Sequence, residues 1–442
     1  MIAALEAWLT ERYAHSARCL SDVLSPVALT QARPGFDQRV RGARGAVVAS
    51  PRLGHYDPQP DYFFHWFRDS ALVMDALRVL YEAGTTDQNA ALRQVADFVD
   101  FTTRLLALDG TQFVVDAQWR NAVAPDFVKF LRPATELAQV HGAAVLAEAR
   151  VNADGSLDVS RWNRPQHDGA PLLALILLRW RDVPELPRDT RAALDALLST
   201  ALAATCRHAG DASFDIWEEE YGRHYYLQRV AGAALAAGAA WRAKLGDTTL
   251  ALRYRNTAEA LLHGLEDFRD PQSHCYRSRF VAGGNPDKQL DMAVILSVIH
   301  AGGDGGGAHT AYDPRVHATL ARLETYFAQV FPINHGRPAT DGAALGRYLH
   351  DAYYSGGPWP VCTLAAAELC FRAAIGAKDP AYWITRGDSF LHALQRLAST
   401  NATLPEQYDP RSGAADSALQ LGWSDAAFIT ACHARRAALG RH

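Results

Sequence analysis

Apolar residues recur at three- and four-residue steps along most of the 442-residue chain, the spacing that lays one face of an α-helix against a core. The pattern predicts twelve helices, near 2–23, 67–84, 87–108, 169–181, 188–209, 225–245, 248–268, 290–301, 315–330, 360–376, 380–399 and 424–439. Stretches such as "VAGAALAAGAAW" and "TLAAAELCFRAAIG" are rich in small residues, which let helices approach closely, as buried inner helices must. The connections alternate in character. Those entering the second, fourth, sixth, eighth, tenth and twelfth helices hold most of the unusual chemistry: "DYFFHWFRD", "RWNRPQHDG", "FDIWEEEYG", "NPDKQLD", "RYLHDAYYSGGPWP" and "LPEQYDP…GW". An all-α, up-and-down series with a functional edge at every second helix predicts a closed ring of hairpins whose six loops converge at one end. No internal sequence repeat accompanies this, so the ring rests on the phase of the loops. The segment 109–168 is too extended for a plain connector and reads as a binding element, with "TQFVVDAQW" expected to form a short hairpin. No Pro- or Ser-rich linker marks off a second unit, so residues 1–442 read as a single domain.

Composition narrows the partners. With 49% apolar residues the chain can bury a large core, and a net charge of −4 without any basic block argues against nucleic acid or an anionic membrane surface. Glu6, Glu11, Arg12 and Arg18 interrupt the first twenty residues, so no signal peptide is expected there. No apolar run reaches the length of a membrane span. The six cysteines, at 19, 206, 275, 362, 370 and 432, are scattered and read as mostly buried free thiols of a cytoplasmic protein.

Five of the ten tryptophans, Trp66, Trp162, Trp217, Trp359 and Trp423, fall in the loops that precede even-numbered helices. Rings on loops suit a ligand with apolar faces and polar edges, which describes a pyranose; packing between helices and loops is the plainer reading of any one of them. Beside Trp217 stand three consecutive carboxylates, Glu218, Glu219 and Glu220. Cleaving an acetal needs a proton for the leaving oxygen and a nucleophile or base on the opposite side, and two carboxyl groups in different surroundings can supply both. An acid held neutral needs an apolar neighbour or another negative charge close by, and residues 217–219 offer a ring and adjacent carboxylates. Acidic residues at a helix start are the structural alternative. Glu406, between Pro405 and Gln407 and followed by Tyr408 and Trp423, is the natural second carboxylate. Arg68 with Asp69 and Arg347 with Asp351 form paired groups that either grip sugar hydroxyls or brace a loop.

The successive motifs "DYFFHWFRDSALV", "WNRPQHDGAPLLA", "FDIWEEEYG", "GRYLHDAYYSGGPWPVCTLAAAE" and "EQYDPRSG…LGWSDAAFITA" resemble the signatures of the glucoamylases of glycoside hydrolase family 15, in the family's order over residues 60–432. The resemblance implies an (α/α)6 toroid and an inverting, metal-free and cofactor-free exo-hydrolysis that releases β-glucose from non-reducing ends of α-glucosidic oligosaccharides. By the same resemblance Glu218 is the general acid and Glu406 the general base that activates water. Arg68 and Asp69 hold the terminal glucose, with Trp66 and Trp423 near that ring. Tyr62 and Tyr353 lie around the base and its water. Arg347, Glu219, Trp162 and Trp217 surround the acid and the leaving sugar, and Gln407 is the partner following the base. An inverting pair stands roughly 6.5–9.5 Å apart.

The chain departs from the fungal pattern at Phe64, Phe67, Ser355, Gly357, Gly422 and Asp425, where Tyr, Thr, Asn, Asn, Thr and Tyr are common. These changes are expected to reshape the site for the second sugar and leave the preference among α-1,4, α-1,6 and other links open. The chain has no room for a starch-binding module, which favours small soluble oligosaccharides as substrates. A glycoside phosphorylase or a non-catalytic sugar binder on the same toroid is the alternative function; neither needs Glu406 as a base. Two further motifs carry less. "HAGGDGGGAHT" holds a loose G-x-G-x-x-A match at Gly303, Gly305 and Ala308, but no strand–helix alternation surrounds it, and it reads as a helix-ending loop. His65 and His167 read as hydrogen-bonding loop residues, and Asp168 and Asp215 as caps of the helix or turn that follows.

Overall fold

The computed structural model describes residues 2–55, 58–303 and 306–440. Twelve long helices form: α1 (Ile2–Val23), α2 (Phe67–Glu82), α3 (Gln88–Leu105), α4 (Gly169–Arg181), α5 (Arg188–Arg207), α6 (Tyr225–Lys244), α7 (Thr248–Gly264), α8 (Ala293–Ala301), α9 (Pro314–Val330), α10 (Pro360–Ile375), α11 (Pro380–Leu397) and α12 (Gly422–Ala438). The even-numbered helices close a ring, each packing on the next and α12 returning to α2, while odd-numbered helices lie outside them. The two sets differ in pattern as their places require. In α4 every residue from Gly169 to Leu177 is buried, whereas α3 buries only a stripe, Ala91, Val95, Phe98, Val99, Phe101, Thr102 and Leu105, built on steps of three and four. Small residues let the inner helices close up, and a methyl added at Gly238 of α6 would meet Leu202 of α5 at 2.6 Å. The termini meet on the outside of the ring, where α1 lies along α12 and Arg12 and Ser16 close on Asp425 at 2.8 Å each.

The ends of the helices also differ. Asp87, Asp247, Asp313 and Asp379 cap α3, α7, α9 and α11 by accepting from backbone N–H groups. No inner helix has such a cap; their N-cap residues are Trp66, Asp168, His224, Met292, Trp359 and Leu421. Their first turns therefore leave backbone donors, and the positive end of the helix dipole, turned toward the long loops at one end of the ring. Asp168, expected as a cap, has no capping bond and pairs instead with Arg68.

Short strands tie these loops together. β1 (Thr30–Arg33) pairs with β2 (Gln38–Arg41), and β3 (Phe64–Trp66) with β4 (Arg150–Asn152). β5 (Ser213–Phe214), β6 (Tyr221–His224) and β7 (Arg279–Phe280) form a three-stranded patch, and β8 (Gln407–Tyr408) pairs with β9 (Ala415–Asp416). The hairpin expected at "TQFVVDAQW" does not form. Gln112–Val115 is a single α-turn and Ala117–Ala122 a 3-10 helix, the first of several one-turn pieces in 109–168. Those pieces pack on a small second core of Val123, Leu131 and Val159, flanked by Phe36, Phe113, Trp119 and Phe127, while Val114 and Val115 are exposed, so the stretch does not alternate as a strand would. The loose glycine motif does end α8, with Gly302 at φ 67°, and its Gly305 lies outside the described residues. All six cysteines are free and five are buried. Among the described residues no helix is long and apolar enough to cross a membrane.

Candidate active site

The loops at the N-terminal ends of the inner helices surround a cavity of about 630 Å³. Glu218 reaches it from the β5–β6 connection. Asp215 shapes that connection: its carbonyl accepts from the Glu218 amide and its carboxylate from the Glu219 amide, both at 2.9 Å. Glu218 itself is left-handed, at φ 65°, a conformation that strains a side-chain-bearing residue. Asn163 holds the adjoining carbonyl, donating from Nδ2 to Glu218 O at 2.6 Å. The carboxylate then accepts three donors. Trp66 Nε1 and Arg68 Nη2 donate to Oε1 at 2.8 and 2.9 Å, and Trp162 Nε1 donates to Oε2.

The three consecutive glutamates part company at once. Glu219 accepts from Tyr348 at 2.7 Å and from Arg347 at 2.9 Å and pairs with Lys288. Burial pushes its carboxyl up, but Arg347 and Lys288 outweigh that and hold it below its ordinary value. Glu220 binds Arg279 at 2.9 Å and the Asn285 amide at 3.0 Å. The crowding expected among adjacent carboxylates is therefore absent, because each has its own cation. The negative charges that do face Glu218 are Asp69 and Asp168, which share Arg68 with it at 3.2 and 3.6 Å. Burial, ahead of the Glu218 charge, pushes Asp168 up to about 6 and raises Asp69 as well. Arg68 Nη1 and Asp69 Oδ2, both buried, lack hydrogen-bond partners on this wall.

Glu406 is held differently. It precedes β8, its amide donates to Ala418 O at 2.8 Å, and it is 5% exposed. Hydroxyls surround its carboxylate. Tyr62 Oη donates to Oε1 at 3.1 Å, Ser417 Oγ donates to Oε2, and Tyr353 Oη lies 2.6 Å from Tyr62 Oη. Burial pushes Glu406 up to about 7 against the pull of Ser417, Arg347 and Tyr62. Between the two carboxylates run the rings. Trp217 stacks on Trp423 at 6.2 Å and meets Trp359 edge-on at 5.6 Å, while its Nε1 is fixed on Asp291 at 2.9 Å. Arg347, clamped by Asp351 through two bonds of 2.7 Å, lies over Trp217 and Trp359.

Twelve of the thirteen residues expected at the site line this one cavity: Tyr62, Trp66, Arg68, Asp69, Trp162, Trp217, Glu218, Glu219, Arg347, Tyr353, Glu406 and Trp423. Gln407 does not. It is fully buried behind the wall, where its Oε1 accepts from Ser355 Oγ at 3.0 Å and from the Gly357 amide at 3.3 Å. The alternation of β8 turns it away from the face that Glu406 occupies. The six departures from the fungal pattern also miss the cavity lining. Phe64 lies between the guanidiniums of Arg33 and Arg150, and Asp425 is spent on Arg12. At Gly357 an added methyl would fall 2.0 Å from Tyr408 O, so the backbone there excludes any larger residue. Their influence on a second sugar is indirect at most. Sequence reasoning passed over Asn163, Trp359, Pro133, Glu136 and Arg161, which also line the cavity. Trp359 carried a signal as one of the five loop tryptophans, and Arg161 and Asn163 flank Trp162 in a loop already marked by its chemistry; Pro133 and Glu136 carried none. The one group of His, Asp, Glu or Cys spaced to hold a metal ion among the described residues, His167, His208 and Asp211, lies outside this cavity.

The family model for glycosyl hydrolases family 15 matches residues 37–385. The chain belongs to glycosyl hydrolase family 15. Among family relatives, Glucoamylase 1 of Rhizopus oryzae is 26% identical over 86% of this chain and 65% of its own length, so the chain spans just under two thirds of that protein. The probable glucoamylase of Schizosaccharomyces pombe is 24% identical over 90% of this chain and 86% of its own length. Among solved structures, the glucoamylase of Saccharomycopsis fibuligera superposes with a TM-score of 0.75 at 19% identity, covering 99% of this chain and 96% of the other. The family 15 glucoamylase of Hypocrea jecorina gives 0.78 at 22% identity, covering 98% and 72%. The ring of twelve helices is the (α/α)6 fold of these family 15 structures.

Proposed function

We propose that the chain is an inverting exo-α-glucosidase that releases β-D-glucose from the non-reducing ends of short α-gluco-oligosaccharides, and that residues 1–442 act as one catalytic unit. The observation that carries this reading is the pairing of Glu218 and Glu406 on one cavity in unlike surroundings, indole and guanidinium donors for one and hydroxyls for the other. The names of the family 15 relatives, all glucoamylases, point to the same substrate class.

In this mechanism the terminal glucose lies against Trp66 and Trp423, and its hydroxyls satisfy Arg68 Nη1 and Asp69 Oδ2. Glu218 acts as general acid. The sugar bridging oxygen takes the place of the Trp162 indole at Oε2 and receives the proton of Glu218. Glu406 acts as general base. It removes a proton from water held between its carboxylate and the Tyr62–Tyr353 hydroxyl pair, and that water attacks the anomeric carbon from the side opposite the leaving group. A carboxyl raised by burial is a stronger base than a free one, which suits this task.

The test is to follow maltose hydrolysis by proton NMR before mutarotation sets in. The glucose freed from the reducing end brings its own anomeric mixture, so the readout is the excess: early β-glucose above its equilibrium share supports inversion, and an early excess of α-glucose rejects it. A requirement for phosphate, with glucose 1-phosphate as product, would point instead to a phosphorylase.

A further inference from the structure

We infer that His167, His208 and Asp211 form a zinc site that ties together the two loops carrying Trp162 and Glu218. His167 belongs to the loop that enters α4, five residues after Trp162. His208 is the C-cap of α5, and Asp211 lies in the turn leading into β5 and on to the Glu218 loop. One nitrogen from each imidazole and one oxygen of Asp211 all fall within 4.8 Å of one another. The imidazoles lie face to face, 4.5 Å between centroids and 9° between planes. The backbone already joins the two loops here. The His167 amide donates to Ser213 Oγ at 3.1 Å and the Phe214 amide to Pro165 O at 3.0 Å.

The chemistry of the set selects the ion. Two imidazoles and a carboxylate suit a borderline cation such as Zn²⁺, whereas calcium and magnesium prefer oxygen ligands alone. The His167 ring makes no hydrogen bond among the described residues, so its nitrogens are uncommitted. His208 Nδ1 lies 3.0 Å from Asp211 Oδ2, so an imidazole and the carboxylate already stand near the spacing of two zinc ligands. Zn²⁺ with bonds near 2.1 Å needs ligand atoms about 3.4 Å apart, so the half-exposed His208 turns out of its stack to meet the ion. Water completes the fourth position. Zinc there clamps residues 161–168 to 208–214 and stiffens the support of Trp162 and Glu218, a regulatory input distinct from the proposed glucosidase activity.

The experiment is zinc titration calorimetry and thermal melting on the chelator-treated protein, its His208→Ala and His208→Gln forms, and Asp211→Asn. With 17 histidines some weak binding elsewhere is expected, so the readout is the difference between forms. Wild type takes up one more equivalent than either His208 variant, at least 100-fold tighter than the residual sites, and its melting temperature rises with zinc while theirs does not. Asp211→Asn, which loses the charged ligand, takes up the equivalent at least about 10-fold more weakly. Equal titrations and equal melting shifts in wild type and His208→Gln would overturn the site. So would zinc-edge anomalous peaks from a soaked crystal that lie only away from His167 and His208.

Discussion

Glu218 and Glu406 are the same residue type on the same cavity, and their supports have almost nothing in common. Glu218 sits in a strained position of a loop held by a neighbouring asparagine, and its oxygens take indole and guanidinium N–H donors. Glu406 is buried beside a two-residue strand and receives only hydroxyls. The first has two carboxyls and an arginine for neighbours. The second has no cation bonded to it, and burial, with a smaller push from the Asp69 charge, lifts it. Function in this pair follows from the donors rather than from the carboxylates.

Removing either carboxylate has the largest effect. Glu218→Gln and Glu406→Gln are each expected to lower kcat for maltose by about 10³-fold or more, with sugar affinity largely kept, as steady-state kinetics and glucose titration will show. The second effect distinguishes them by stability. The folded carboxyl of Glu406 is raised to about 7 from 4.5, so the wild type loses stability as pH climbs from the lower value through the higher. Glu406→Gln escapes that loss, about 3 kcal/mol, and denaturation at pH 8 against pH 4 should show the variant gaining on wild type by that order. A Glu406→Gln variant whose stability runs parallel to wild type across that range would contradict the raised carboxyl.

Ser417→Ala is expected to cost about 10-fold in kcat/KM and to move its acidic limb to higher pH, because the lost bond favours ionised Glu406. The wild-type limb itself should lie well above the 4.5 of a free glutamate. Asn163→Ala, which frees only the Glu218 carbonyl, should lower kcat about fivefold and leave that limb in place. Movement of the limb in the asparagine variant would show that the two supports are coupled.

The ring was legible because burial writes itself into sequence at helical period. α4 and α3 differ in the string itself, one apolar throughout and one striped, and every long helix lies within a few residues of its expected span. The 109–168 segment was not legible. Its one-turn helices are too short to show a period, and residues such as Pro133, Glu136 and Arg161 reach the cavity only through the small core that folds them there. The catalytic candidates were found by motif, but their electrostatics were misjudged. Sequence neighbours Glu219 and Glu220 leave for Arg347, Lys288 and Arg279, while the charges that face Glu218 come from residues some 50 to 150 positions away. Gln407 shows the complementary error, in which adjacency to a site residue along a strand places a side chain on the opposite face.

The measurement that bears most directly on the division of labour uses α-D-glucosyl fluoride, whose leaving group needs little protonation. Glu218→Gln should hydrolyse it at a rate near that of wild type while failing on maltose, and Glu406→Gln should fail on both. Loss of fluoride hydrolysis in Glu218→Gln, with near-normal turnover in Glu406→Gln, would contradict the assignment.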